Sequence, residues 1–450
     1  MKLPSDDGVR PSVTIEPPGP RSKVLLERGA AVWYPGLAGS TAPFVMARKW
    51  DWWIEDVDGN VYLDFLSGMA SVPLGAVPPA ILEPAEAALR RYGNEDTHYL
   101  PSEPTIELAE RLLAIAPVGL ERVDIALNGT EAVEIALKFM RRATGRPIVL
   151  AFMGGYHGES TTTATLGAEA AEFGRGLRHL SAGFLHVPYP NQFRSPFGPP
   201  RPGGSGDATV DYIRDHLLFH VVDPTDVAGV LIEPMLGSGG VIVPPPTFWK
   251  AIDELRREHD WLLCVDEVKT GFGRTGELFA CDRFAIKPDL LCLGKAMGGG
   301  VLPIGAVLGT QRAMGTFDDV STGSTWAWLP AASVAALETI GLLDQQVLGN
   351  VRQIERTAAE HLRPLWERHE QVGDVRVVGA FIAVEFVTDR RTNERNPQLQ
   401  REVALGCLRR GVLGDPSTTS FNLQPSLVVP MPVLEHGLGI VCEVIDSILS

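Results

Sequence analysis

Two residues past the middle of this 450-residue chain have the types that carbon–nitrogen chemistry needs. Asp266 closes the apolar run Leu262 to Val265, and Lys295 follows the apolar run Leu290 to Leu293. A carboxylate and an amine presented together suit pyridoxal 5'-phosphate. The lysine can hold the aldehyde as a Schiff base, and the aspartate can keep the pyridine nitrogen protonated so that the ring acts as an electron sink. On these two residues alone, a structural ion pair at a sheet edge stays open as the other reading.

Both runs are short, apolar and bounded by turn residues, the pattern of parallel strands buried on both faces. Ligands of open α/β sheets gather outside the carboxyl ends of the strands, so Asp266 and Lys295 are expected in one crevice. Further upstream, Val123 to Leu127 reads as a strand, followed by the turn Asn128-Gly129-Thr130 and a helix from Glu131. A glycine turn at a helix N-terminus offers backbone N–H groups and the positive end of a dipole, which suit a phosphate. A further strand, PIVLAF, leads to Gly154-Gly155-Tyr156-His157-Gly158, where Tyr156 offers a flat surface and the glycines allow close approach. Residues 79 to 92 and 104 to 115 have helical spacing. Asp58-Gly59-Asn60 has the chemistry of a hairpin turn, and 195 to 208 has the composition of a surface loop.

The text DEVKTGFGRTG followed by PDLLCLGKAMGGGVLPIGAV resembles the class III aminotransferases, of the fold-type-I pyridoxal-phosphate superfamily. The resemblance spans roughly residues 45 to 445, with the cofactor motifs in the family's order. It implies an α/β fold, with a large domain built on a mostly parallel central sheet flanked by helices and a smaller α+β domain. The expected division is an N-terminal arm and small-domain strands over 1–70, the cofactor-binding domain over 71–330, and a C-terminal small domain over 331–450. It also implies roles. Lys295 and Asp266 are catalytic. Gly129, Thr130 and, across a homodimer whose active sites lie at the subunit interface, Thr325 hold phosphate. Tyr156 and Val268 sandwich the ring, His157 and Glu233 sit on the cofactor side, and Lys269 stands beside the phenolic oxygen. No metal is expected.

Departures from the family's text bear on the substrate. In 4-aminobutyrate aminotransferases an arginine grips the substrate carboxylate where this chain has Glu159, which would repel an ω-amino acid unless it turns outward. Leu236 and Ser238 replace the glutamine and second glutamate of the usual Glu-Pro-Val-Gln-Gly-Glu-Gly-Gly, so the carboxylate half of the family's gate is absent. Lys269 replaces a glutamine, as in the lactam and amino-acid racemases of the family, although those place an acid where this chain has Ser238. No lysine or arginine occurs between Val412 and Ser450, with Asn422 near one expected place of the carboxylate-binding arginine. That leaves Arg48, Lys49 and Lys269 as candidate carboxylate donors, or recognition by hydrogen bonds only. The family's usual Gly-Gly-Asn-Pro after Thr325 reads Ala327, Trp328, Leu329, Pro330 here, and the indoles of Trp326 and Trp328 would narrow the substrate entrance or pack a dimer.

A formal net charge of −15 argues against nucleic acid or an anionic membrane as partner. Only eight of the forty basic residues are lysines, which makes a lysine at a strand end less of a coincidence. The five cysteines lack paired spacing, as expected of reduced thiols in a cytoplasm. The opening residues show no apolar signal segment, and no run is long enough to span a bilayer. The chain therefore reads as an ω-transaminase that moves an amino group from a primary amine or ω-amino compound to a small keto acid such as pyruvate. An amino-acid or lactam racemase of the same family is the alternative.

Overall fold

The strands Val227–Ile232, Leu262–Asp266, Leu290–Leu293 and Gly305–Gly309 are buried along their whole length, which is why they read as unbroken apolar runs rather than alternating ones. They belong to a seven-stranded sheet in the computed structural model, which describes residues 3–38, 42–177, 183–197, 204–315 and 317–450. The strand order is Arg122–Ala126, Gly305–Gly309, Leu290–Leu293, Leu262–Asp266, Val227–Ile232, Ile148–Met153 and Phe184–Pro188. Gly305–Gly309 runs antiparallel to both its neighbours, and the other six strands share one direction. Their carboxyl ends consequently open on a single edge.

The helix Gly129–Thr144 starts on Asn128, whose side chain accepts the N–H of Glu131, and ends on Gly145 in the left-handed region. It begins two residues earlier than the sequence indicates. Its buried stripe from Ala132 to Met140 packs against Val149, Cys264, Cys292 and Val307 of the sheet. This packing fixes the helix tip beside the strand ends.

The chain divides into two compact units, Pro79–Asp344 and a second one formed by Met1–Pro78 with Gln345–Ser450. The helix Pro330–Leu342, which a boundary at 330 would give to the C-terminal domain, packs on Pro79–Tyr92 and Glu103–Ile115 and so counts with the large unit. The long helical pattern from 331 is two helices, Pro330–Leu342 and Gln345–Arg368.

The smaller unit holds two sheets. In the first, Trp53–Asp56 and Val61–Asp64 pair antiparallel around the Asp58-Gly59-Asn60 turn, where Asp56 Oδ1 accepts the N–H groups of Asp58 and Asn60, each at 2.9 Å. Val412–Leu413 joins this sheet in parallel. In the second, the stretch DVRVVGAFIAVEFV, whose alternation in sequence reads as one strand with a single buried face, belongs to two strands, Val372–Val378 and Phe381–Asp389. Gly379, at φ 58°, makes the turn between them, and Phe381 to Val387 are buried on both faces. The last helix is Met431–Leu449, where the sequence indicates a helical stretch over 436 to 449. Among the described residues no helix is long and apolar enough to cross a membrane. Residues 198–203 of the proline- and glycine-rich loop lie outside the described residues.

Candidate active site

Residues at or just past the carboxyl ends of five of the six co-directional strands converge at this edge: Asn128 to Thr130, Tyr156 with His157, Glu233, Asp266, and Lys295. Asp266, His157, Glu233, Lys269 and Ser238 are buried, whereas Lys295, Tyr156, Val268, Gly129 and Thr130 remain partly exposed. The site is thus a floor of buried polar groups under an open rim.

On the floor, Asp266 Oδ2 lies 2.7 Å from His157 Nδ1 and Asp266 Oδ1 accepts the N–H of Val268 at 3.0 Å. Burial, the largest influence on His157, lowers its pKa, but the hydrogen bond and charge of Asp266 with the charge of Glu233 outweigh it, and the net shift is upward. Glu233 clamps backbone: Oε1 accepts the N–H of Tyr156 at 3.0 Å and Oε2 that of Gly237 at 2.9 Å. Burial raises its pKa, with Asp266 adding and His157 opposing. Its position suits orienting neighbours more than exchanging protons with substrate. Lys269 Nζ donates to Ser238 Oγ at 3.0 Å.

Lys295 opens a short 3-10 turn at φ 42°, a conformation that a side-chain-bearing residue adopts at a cost and that functional sites retain. Its Nζ lies 5.8 Å from the centroid of the Tyr156 ring. Burial lowers its pKa, opposed by the charges of Asp266, Glu233 and Glu169. A larger share of neutral amine is available as nucleophile and base than an ordinary lysine would offer.

The residues fit pyridoxal phosphate. With Asn128 occupied by Glu131, the N–H groups of Gly129 and Thr130 at the helix tip are left for another acceptor. A Cβ on Gly129 would sit 2.4 Å from Val268 Cγ1, and one on Gly158 would sit 2.4 Å from Thr130 Oγ1. The backbone here is glycine because side chains have already closed around the cradle. A cavity of about 490 Å³ opens beside it, lined by Asn128, Thr130, Glu134, Glu159, Ser160 and Thr322 among others.

The other candidates have surroundings of their own. Thr325 is exposed on the loop before Pro330–Leu342. Arg48 is paired with Glu55 at 2.6 Å and Lys49 is paired with the buried Asp64, so both carboxylate candidates already hold carboxylates. Trp328 is 1% exposed and donates from Nε1 to Gly305 O at 2.7 Å; it is core and narrows no entrance, while Trp326 stays 57% exposed. Asn422 is fully buried and accepts from Ser420. Sequence reasoning missed Glu169 and Phe173. They stand in an irregular loop with no periodicity or motif, and only the fold brings them to Tyr156.

The family model for aminotransferase class-III matches residues 37–445. The chain is similar to the alanine/serine racemase of Pyrococcus horikoshii, 33% identical with 98% of this chain and 94% of the relative covered. It is equally similar, at 33% with 96% and 97% covered, to the 4-aminobutyrate aminotransferase of Mycobacterium tuberculosis. Among solved structures it resembles the PLP-bound amine transaminase of an uncultivated Pseudomonas species, with a TM-score of 0.84, 28% identity, and 93% of this chain and 96% of that one covered.

Proposed function

The chain belongs to the class-III aminotransferase family, of fold type I and dependent on pyridoxal phosphate, and from that premise we propose an ω-transaminase that moves an amino group from a primary amine or ω-amino compound to a small keto acid such as pyruvate. The observation that carries this reading is the meeting of Lys295, Tyr156 and the His157–Asp266 pair at one edge of the sheet.

Pyridoxal phosphate, when bound, supplies an aldehyde that exchanges amines and a protonated ring that takes up the electron pair released at the substrate carbon. The N–H groups of Gly129 and Thr130 would hold its phosphate, joined by Thr325 across a homodimer. Tyr156 and Val268 would flank the ring, Asp266 would keep the ring nitrogen protonated, and Lys269 would face the phenolic oxygen. Lys295 Nζ takes the proton from the amine-bearing carbon of the donor, and in the reverse half of the cycle it returns a proton to the acceptor's carbonyl carbon. His157 holds Asp266 in orientation through the contact of Nδ1 with Oδ2. Glu233 sets the backbone of Tyr156 and Gly237. Cys264, Cys281, Cys292 and Cys407 are buried free thiols, in keeping with a cytoplasmic enzyme.

Racemisation is the second reading, favoured by Lys269 on the site floor and by the likeness to an alanine/serine racemase. Against it, the group beside Lys269 is the Ser238 hydroxyl, which is no base. A panel of amine donors with pyruvate and 2-oxoglutarate, scored for amino transfer and for racemisation together, separates the two. Amino transfer consumes one keto acid per amine, whereas a racemase abolishes optical activity and consumes none.

A further inference from the structure

We propose that Glu159, held on the phenol of Tyr156, is the specificity-determining residue for the amine donor, and that the donor it selects is a diamine whose second ammonium stands where an ω-amino acid carries its carboxylate. The proposal rests on the transaminase reading above and deepens it.

The geometry lies within the large unit. The Tyr156 hydroxyl donates to Glu159 Oε1 at 3.1 Å, while the ring of the same tyrosine has Lys295 Nζ 5.8 Å from its centroid. One phenol ring therefore joins the reacting amine to a carboxylate, the span of a short aliphatic chain. Glu159 is exposed, and the phenol that reaches it has a second ring beside it, Phe173, met edge-on with centroids 5.9 Å apart; aromatic faces favour an ammonium over a carboxylate. Among the described residues Glu159 forms no ion pair, so its charge is not already spent on a protein cation. Glu169 adds a second negative charge, felt by both the Tyr156 phenol and the Lys295 amine. An incoming carboxylate meets repulsion from Glu159; an incoming ammonium meets attraction. A monoamine gains neither, which separates the three donor types by charge alone.

The test compares three donors of matched length with pyruvate as acceptor, each turnover converting one pyruvate to alanine and the donor's terminal amine to an aldehyde. The donors are cadaverine, pentylamine and 5-aminopentanoate. The holoenzyme is expected to show kcat/KM for cadaverine about ten- to a hundredfold above pentylamine, the range of a charge-assisted hydrogen bond, with 5-aminopentanoate lowest. In Glu159→Gln, which keeps an acceptor for the Tyr156 phenol and removes only the charge, the cadaverine-to-pentylamine ratio is expected to fall towards one. In Glu159→Arg the order of cadaverine and 5-aminopentanoate is expected to invert. Calorimetry with a non-reacting bis-tertiary diamine gives the same ranking without turnover, its affinity dropping at least tenfold in Glu159→Gln. Equal use of cadaverine and pentylamine by the native enzyme, or a ratio that survives Glu159→Gln, overturns the role of Glu159 while leaving the transaminase standing. Absence of alanine with all three donors overturns the transaminase reading and this inference with it.

Discussion

His157 Nδ1 lies 2.7 Å from Asp266 Oδ2, with both side chains almost wholly withdrawn from water. The pair ties the loop after Ile148–Met153 to the end of Leu262–Asp266. Because its folded pKa is raised above the ordinary 6.5, the imidazolium's contribution is fully present below that value. It is lost as pH rises through the higher folded value. Denaturant unfolding of the native chain should therefore lose stability on the alkaline side more steeply than that of His157→Gln. Truncation to alanine leaves a buried carboxylate without its cation and should cost about 3–5 kcal/mol. Parallel pH profiles for native and variant chains would show that the pair is not charged.

Lys295→Ala should lower amino transfer by about a thousandfold or more, since one residue serves as both attachment point and proton carrier. Borohydride treatment of the native holoenzyme should fix the cofactor on the peptide containing Lys295, read by mass spectrometry. Full turnover in the variant would sink the mechanism.

Glu267, the neighbour of Asp266, is fully buried and titrates separately from the chemistry. Burial raises its pKa, the N–H groups of Cys281 and Ala280 and the Thr270 hydroxyl pull it back, and the result is about 7. A raised carboxylate stabilises fully below its unfolded pKa of 4.5, and that contribution is lost as pH rises through about 7. Between about pH 5 and pH 8 the native chain should lose up to about 3 kcal/mol more than Glu267→Gln. Thermal or denaturant unfolding at the two pH values measures the difference, and identical slopes refute it.

Trp328 and Trp326 stand two positions apart yet should behave oppositely. Trp328→Ala empties a core site and leaves the Gly305 carbonyl without the donor it has now, for a loss of about 3–5 kcal/mol. Trp326→Ala removes an exposed ring and should change the stability of the single chain by about 0.5 kcal/mol or less. Denaturation midpoints of the two variants decide this.

Much of the proposed site was legible because each residue proposed to face the cofactor follows an apolar run that reads as a buried strand, or opens the helix beside one. Asp266, Lys295, Glu233, Tyr156 and Thr130 are all found that way. The illegible parts depend on distance across the fold. Glu169 and Phe173 carry no local pattern, the Trp328 indole gives no sign of which way it points, and the pairing of Arg48 with Glu55 and Lys49 with Asp64 crosses a hairpin. The stretch 374–387 reads as one strand, where the structure has two, because Gly379 sits in a continuous apolar stretch, where a turn and a pleat look alike.

Residue order alone determined the kind of chemistry and the sheet that presents it, because strand burial and turn residues are local and the amine and carboxylate each close such a run. Tertiary structure alone decided which charges remain available. Whether Glu159, exposed as it is, also takes the Tyr156 hydroxyl, whether a hydroxyl lies beside Lys269, and whether Arg48 is free all depend on the fold. Electrostatic partners are set by distance in space, which spacing along the chain does not encode.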